Sequence, residues 1–501
     1  MDLRPKEILT QNDITKGLRI VIWDGLTAEA MTAFTGGAFL IAMALLLGAN
    51  NIEIGILAAL PMFTNIFQLI SIWLVSKYHN RRAVAVYCAF LARIPLFLIG
   101  CMVWWSPDSP VQLLLFFLFF HYLFGSIAGP SWNSWMKDMV PEAMLGKYFS
   151  RRSKYTQILN VVLSIILALI LDYVQKNQQQ YELKTYSIFF ILAGIIGIIG
   201  GIILSNAPEP QSYLTNADIL SLFKRPLKNI NFRHLLVFNS AWVFALNIAT
   251  PFFTVFMMKG LGLPISYIII LSIISQLFSI LTLNMWGTFS DRYSNKSIIA
   301  INAPLYILCI IAWCFVGIYS HHFANIGLLV IIHAFSGIST AGINLSLTNI
   351  GLKLAPKKDA IVYLSVKNII TAVFSSLGPL MGGLLADFFA QRSLSISAQW
   401  TSPTASKLVR IVALHEWNFL FLIGALLALL SLNFLGRINE VGEVQKNAVR
   451  RIMRTSIKNN LRDYFLIGDI ISIHEQLSAI VRTQRKHFSD PGKDDLPKEG
   501  L

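Results

Sequence analysis

The chain has 501 residues, of which 55% are hydrophobic, 12% aromatic and only 13% charged, and its mean hydropathy is +0.60. That is too apolar for a water-soluble core and places the chain in a bilayer. A formal net charge of +15 would suit a nucleic-acid partner. The basic residues, however, gather in the connections on one side of the predicted spans, which is the positive-inside pattern of a membrane protein and excludes that class.

A helix needs about 20 apolar residues to cross about 30 Å of hydrocarbon. Runs of that kind predict twelve, near residues 20–48, 52–76, 83–106, 111–136, 153–174, 185–205, 232–258, 266–290, 297–320, 325–351, 363–390 and 416–436. They divide the chain into an N-terminal segment (1–19), a six-helix bundle (20–205), a linker (206–231), a second six-helix bundle (232–436) and a tail (437–501). The charge bias puts both termini and the linker in the cytoplasm, with the spans in the plasma membrane, or the inner membrane of a bacterium. The first 18 residues are mixed polar, so no cleavable signal peptide is expected. Cys88, Cys101, Cys309 and Cys314 fall in spans without metal-ligand spacing and read as apolar filler. The chain carries no P-loop, H-E-x-x-H or G-x-S-x-G pattern, so neither an enzyme nor a cofactor or metal is expected.

The first run carries Asp24 and Glu29. An acid at the centre of a span costs about 2.5 to 3.5 kcal/mol on insertion scales, so each needs a reason. Glu29, ten residues past Arg19, lies about 15 Å deep, and Asp24 about half as deep. Arg93, at similar depth in the third run, is the expected partner of Glu29. Two roles stay open for Glu29, a structural brace with Arg93 or a substrate or proton site. Asp24 is equally a solvated residue at the inner mouth or a functional one.

The fourth run carries His121 near mid-depth, then Gly125 and Gly129 at the four-residue spacing that lets helices approach closely. In the seventh run Asn239 and Asn247 supply hydrogen-bonding groups but no acid. Asp172 and Asp387 end the fifth and eleventh runs and suggest helix contacts at the outer mouth. The segment 391–415 is the longest outer connection and is expected to be a loop without chemistry. The linker suits a surface helix, and apolar residues at helical spacing predict two amphipathic helices in the tail, with an unknown partner.

The two halves repeat. One constant offset pairs Arg19 with Arg233, Gly48 with Gly262, Lys77 with Asp291, and Arg81-Arg82 with Asn295-Lys296. With one extra residue, the same offset brings Pro141, Tyr148 and Asp172 onto Pro356, Tyr363 and Asp387, and a slightly shorter one brings His121 onto His333. Such duplication in a membrane chain signals a transporter built from two related bundles.

Gly287-x-x-x-Asp291-Arg292-x-x-x-Lys296, its degraded partner at 73–82, Pro141-x-x-x-x-Gly146-Lys147-Tyr148 and Gly378-Pro379-x-x-Gly382-Gly383 resemble the motifs of the major facilitator superfamily, over about residues 15–436. The resemblance implies an all-α fold of twelve transmembrane helices in two pseudo-symmetric six-helix bundles. It also implies a central cavity lined by the first, fourth, seventh and tenth helices, onto which His121 and His333 would face. In that family the loop motifs form a cytoplasmic gate between the bundles. The candidates here are Lys77, Arg81, Arg82, Gly287, Asp291, Arg292 and Lys296, with Lys77 standing where the family has an acid. The function implied is secondary transport of a small molecule, coupled to protons. A lipid or amphiphile translocator and a transport-inactive receptor or scaffold acting through the tail stay open as alternatives.

Overall fold

A computed structural model describes residues 5–440 apart from 7–8, 106–110, 142–143, 212–218, 293, 319–321, 357–359 and 403–405. The tail from 441, with its two expected helices, lies outside the described residues. Twelve helices are long and apolar enough to cross a membrane. We call them spans 1 to 12: Gln11–Leu46, Asn51–Tyr78, Arg81–Trp104, Val111–Met139, Tyr148–Asn177 and Gln179–Leu204, then Ile230–Gly260, Ile265–Ser290, Asn295–Phe315, Phe323–Leu354, Val362–Phe389 and Trp417–Leu435. Span 1 begins well before its apolar run, because Thr10 and Asp13 form a reciprocal capping box at its start.

The repeat is real in space. Span 3 packs on spans 4 and 6, and span 1 on spans 5 and 6; in the second half span 9 packs on spans 10 and 12, and span 7 on spans 11 and 12. Gly48 and Gly262 both take positive φ, +87° and +62°, at the turns that close spans 1 and 7, a conformation that costs glycine little. The Tyr148 hydroxyl donates to Leu18 O at 2.8 Å, while the Tyr363 ring lies edge-on to Phe232, 4.7 Å away. Phe232 is the counterpart of Leu18 in the repeat.

One face of the molecule, here the basic face, carries the connection between spans 2 and 3 and the linker. The bundles meet towards the opposite face. There span 2 packs on span 11, and span 5 on span 8. Gly55 and Gly383 make the first approach possible: a Cβ on Gly55 would lie 2.5 Å from Pro379 O, and one on Gly383 2.7 Å from Asn51 O. Gly125 and Gly129, by contrast, have nothing within 4 Å of a Cβ, so the close packing expected of them is absent. It falls instead to span 6, where Gly194 meets Phe97, and Gly197 and Gly201 meet Arg93.

Two further expectations change. Span 1 is not continuous: it breaks at Gly36-Gly37, with Gly37 at φ +56°, and restarts as a ten-residue helix. The segment 391–415 is an antiparallel hairpin, β1 (Ser393–Thr401) paired with β2 (Ser406–His415). In β1, Leu394, Ile396, Ala398 and Trp400 alternate with polar residues, the period-two pattern of a strand. The linker does contain a helix, Ile219–Lys228.

Candidate functional site

The two acids of span 1 part company. Five residues apart on a helix, they point about 140° from one another, so only one can reach span 3. That one is Asp24: Arg93 Nη2 lies 3.8 Å from Asp24 Oδ1, and both residues are buried. The expected Glu29–Arg93 pair is therefore not formed. Glu29 turns to span 5, where Asn160 Nδ2 donates to its Oε1 at 2.7 Å. Arg152, one turn before Thr156 and two before Asn160, donates to Val21 O at 3.3 Å and covers the Trp132 ring at 5.0 Å.

The second bundle repeats this seam without acids. Asn239 Nδ2 donates to Thr371 Oγ1 and Asn247 Nδ2 to Ser375 Oγ, each at 2.6 Å, joining span 7 to span 11. One turn away, the buried Lys367 ammonium donates to Leu347 O at 2.9 Å. Lys367, Thr371 and Ser375 are the repeat counterparts of Arg152, Thr156 and Asn160, all three at the offset that joins Tyr148 to Tyr363. That correspondence, a basic residue, then Thr, then a short polar residue at spacing four, is the sequence signal that points to these partners.

Asn160, the partner of Glu29, lines a crevice of about 200 Å³ between the bundles. Span 1 lines it with Thr32 and the broken Gly36-Gly37, span 5 with Asn160 and Ser164, and span 8 with Ser272 and Gln276. Irregular backbone inside a membrane is tolerated where it is buried in protein or lines a cavity, and unwound stretches of this kind are where transporters bind solutes. The crevice can offer hydroxyls, amides and, one hydrogen bond behind Asn160, a carboxyl.

The histidines do not join this site. His121 Nδ1 is 2.7 Å from Ala92 O of span 3; His333 Nδ1 is 2.8 Å from Leu329 O of its own helix, and its ring packs on Trp313 of span 9. Each turns into its own bundle, against the expectation that both face the cavity.

The basic-face residues also pair within bundles rather than between them. Glu209, just past span 6, is fully buried and accepts the backbone N–H of Arg81 at 2.8 Å and of Arg82 at 3.0 Å. The Arg81 guanidinium holds Glu209, Asp138 and Pro210 O. Glu440, just past span 12, does the same in the second half, accepting from Asn295 Nδ2 at 2.7 Å, the Lys296 N–H at 2.9 Å and Lys353 Nζ at 3.0 Å. Burial pushes the Glu440 carboxyl up, but these donors outweigh it and hold the group below its ordinary value. Lys77 is exposed and lies over the rings of Trp73 and Tyr78. Gly287 has open space around it. The side chains of Asp291 and Arg292 lie outside the described residues. The expected gate between bundles is thus, at Arg81, Arg82 and Lys296, a brace inside each bundle. Sequence reasoning misses both Glu209 and Glu440, since each is brought to its partner only by the fold.

A family model described as Major Facilitator Superfamily matches residues 25–357. No curated protein matches the chain. Among solved structures, a mutant of the nucleoside transporter NupG is 14% identical with a TM-score of 0.63, covering 85% of this chain and 100% of that one. A POT family transporter in complex with 5-aminolevulinic acid is 13% identical with a TM-score of 0.60, covering 87% and 99%. A bacterial homolog of the human lysosomal transporter Spinster, in an inward-facing and unoccupied conformation, is 16% identical with a TM-score of 0.55, covering 76% and 84%. With the twelve spans, the duplicated bundles and the family match over most of its length, the chain belongs to the major facilitator superfamily.

Proposed function

We propose that this secondary transporter moves a small polar molecule through the crevice between spans 1, 5 and 8, and that Glu29 carries a coupling proton. The observation that carries this reading is the partner of Glu29. Asn160 gives Glu29 a neutral donor, and an amide N–H can donate to either form of a carboxyl, where the expected arginine would have stood as a fixed positive charge. Asp24, held by Arg93, is the structural member of the pair. The basic face is cytoplasmic by the positive-inside rule, and the contact of the bundles at the far face is the arrangement of an inward-facing transporter.

The test begins with a thermal-shift screen of metabolites on the purified protein, in which a solute at 100 times its Kd stabilises the fold by about 2.7 kcal/mol. With that solute in proteoliposomes, Glu29→Gln is expected to keep counterflow exchange and to lose accumulation driven by a pH gradient. Accumulation that survives in the variant would remove Glu29 from the coupling role.

A further inference from the structure

Span 8 depends on the other bundle for its start. Its first N–H groups have no partner within the helix, and Asp172 at the far end of span 5 supplies one: Asp172 Oδ1 accepts from Ile265 N at 3.1 Å and from Ser266 N at 3.4 Å. A carboxylate at a helix N-terminus is favourable both as an acceptor and against the helix dipole. Span 5 belongs to the first bundle and span 8 to the second, so this contact crosses the boundary. It lies beside a crevice of about 390 Å³ at the same face, walled by Leu45 and Leu171 on one side and Leu263 and Ile265 on the other.

The repeat says why only one side is built this way. Asn51 and Ile52 are the counterparts of Ile265 and Ser266, and Asp387 is the counterpart of Asp172, so symmetry would have Asp387 cap span 2. Span 2 caps itself: Asn50 Oδ1 accepts from Glu53 N at 2.8 Å, and Glu53 Oε2 accepts from Asn50 N at 2.9 Å. Pro264 and Tyr267 stand at the equivalent positions before and within span 8, and neither can form that box. Asp387 stays exposed. On its side the bundles are held by the glycine approach of spans 2 and 11.

We infer that Asp172 is a latch between the bundles at the face opposite the basic loops, and that its bond to the start of span 8 breaks each time that face opens. The inference rests on the rocking of two bundles and is independent of Glu29. A single cysteine at Leu45, in a chain with Cys88, Cys101, Cys309 and Cys314 replaced by alanine, reports opening through its labelling rate with N-ethylmaleimide in nanodiscs. Asp172→Ala is expected to raise that rate about threefold to tenfold, in line with the loss of a partly buried cap, while Asp387→Ala leaves it unchanged. Asp172→Asn, which keeps an acceptor oxygen and guards against misfolding, should give an intermediate rate.

The decisive variant repairs the helix without the crossing. Asp172→Ala combined with Pro264→Asn and Tyr267→Glu gives span 8 its own capping box, and labelling should stay fast. A return to the original rate would show that Asp172 serves only the helix and would overturn the latch. So would an unchanged rate in Asp172→Ala, or an equal rise in Asp387→Ala.

Discussion

At the scale of single residues, depth along the sequence locates the charged groups of the first bundle but does not say which one meets which. Asp24, Glu29 and Arg93 are all legible as lying inside the membrane. Their pairing depends on azimuth around the helix, and the rotation of span 1 decides it. The consequence is an exchange of roles that stability can check. Asp24→Asn strands the buried Arg93 guanidinium and should cost about 3 kcal/mol or more, and Arg93→Leu in the same chain should recover most of that loss. Glu29→Gln leaves an amide pair in place and should cost less than about 1 kcal/mol. Unfolding midpoints of the purified variants in one detergent settle the order. A larger loss in Glu29→Gln than in Asp24→Asn would reverse the assignment.

At the scale of elements, the twelve spans are plain because each is a long apolar run, and the exceptions have physical causes. The hairpin of residues 393–415 shows alternation in β1, but it sits between spans where loops are expected. The break in span 1 is marked by Gly36-Gly37, and in the repeat Pro251 stands inside span 7 opposite Gly37, so both halves carry a helix-disrupting residue at one depth. Glycines read as packing surfaces only from their four-residue spacing are misassigned at Gly125 and Gly129, because spacing does not say which face has a neighbour. The two kinds of glycine separate on substitution. Gly37→Ala forces a side chain into the left-handed region and should destabilise by about 1 to 2 kcal/mol. Gly125→Ala meets open space in a regular helix and should be neutral or stabilising by up to about 1 kcal/mol. Thermal unfolding of the two single variants tests this, and a Gly37→Ala protein as stable as the parent would mean that span 1 is straight in the membrane.

At the scale of the molecule, the halves share a backbone plan but not a charge plan. The first bundle places Asp24, Glu29, Arg93 and Arg152 along spans 1, 3 and 5, while the second offers Asn239, Asn247 and Lys367 at the corresponding seam. Orientation adds a second asymmetry, this time along the membrane normal. The buried braces around Glu209 and Glu440 hold Arg81, Arg82, Lys296 and Lys353 at one face, and the linker adds Lys224, Arg225 and Lys228 there, whereas β1 projects from the other with every residue exposed. Basic residues near span ends are retained in the cytoplasm during insertion, and on that rule we propose that the basic face lies inside. In intact cells, a cysteine at Ser397 in β1 should react with a membrane-impermeant maleimide, and one at Lys228 should react only after the cells are opened. The reverse pattern would invert the protein in its membrane, and the face latched by Asp172 would then be the cytoplasmic one.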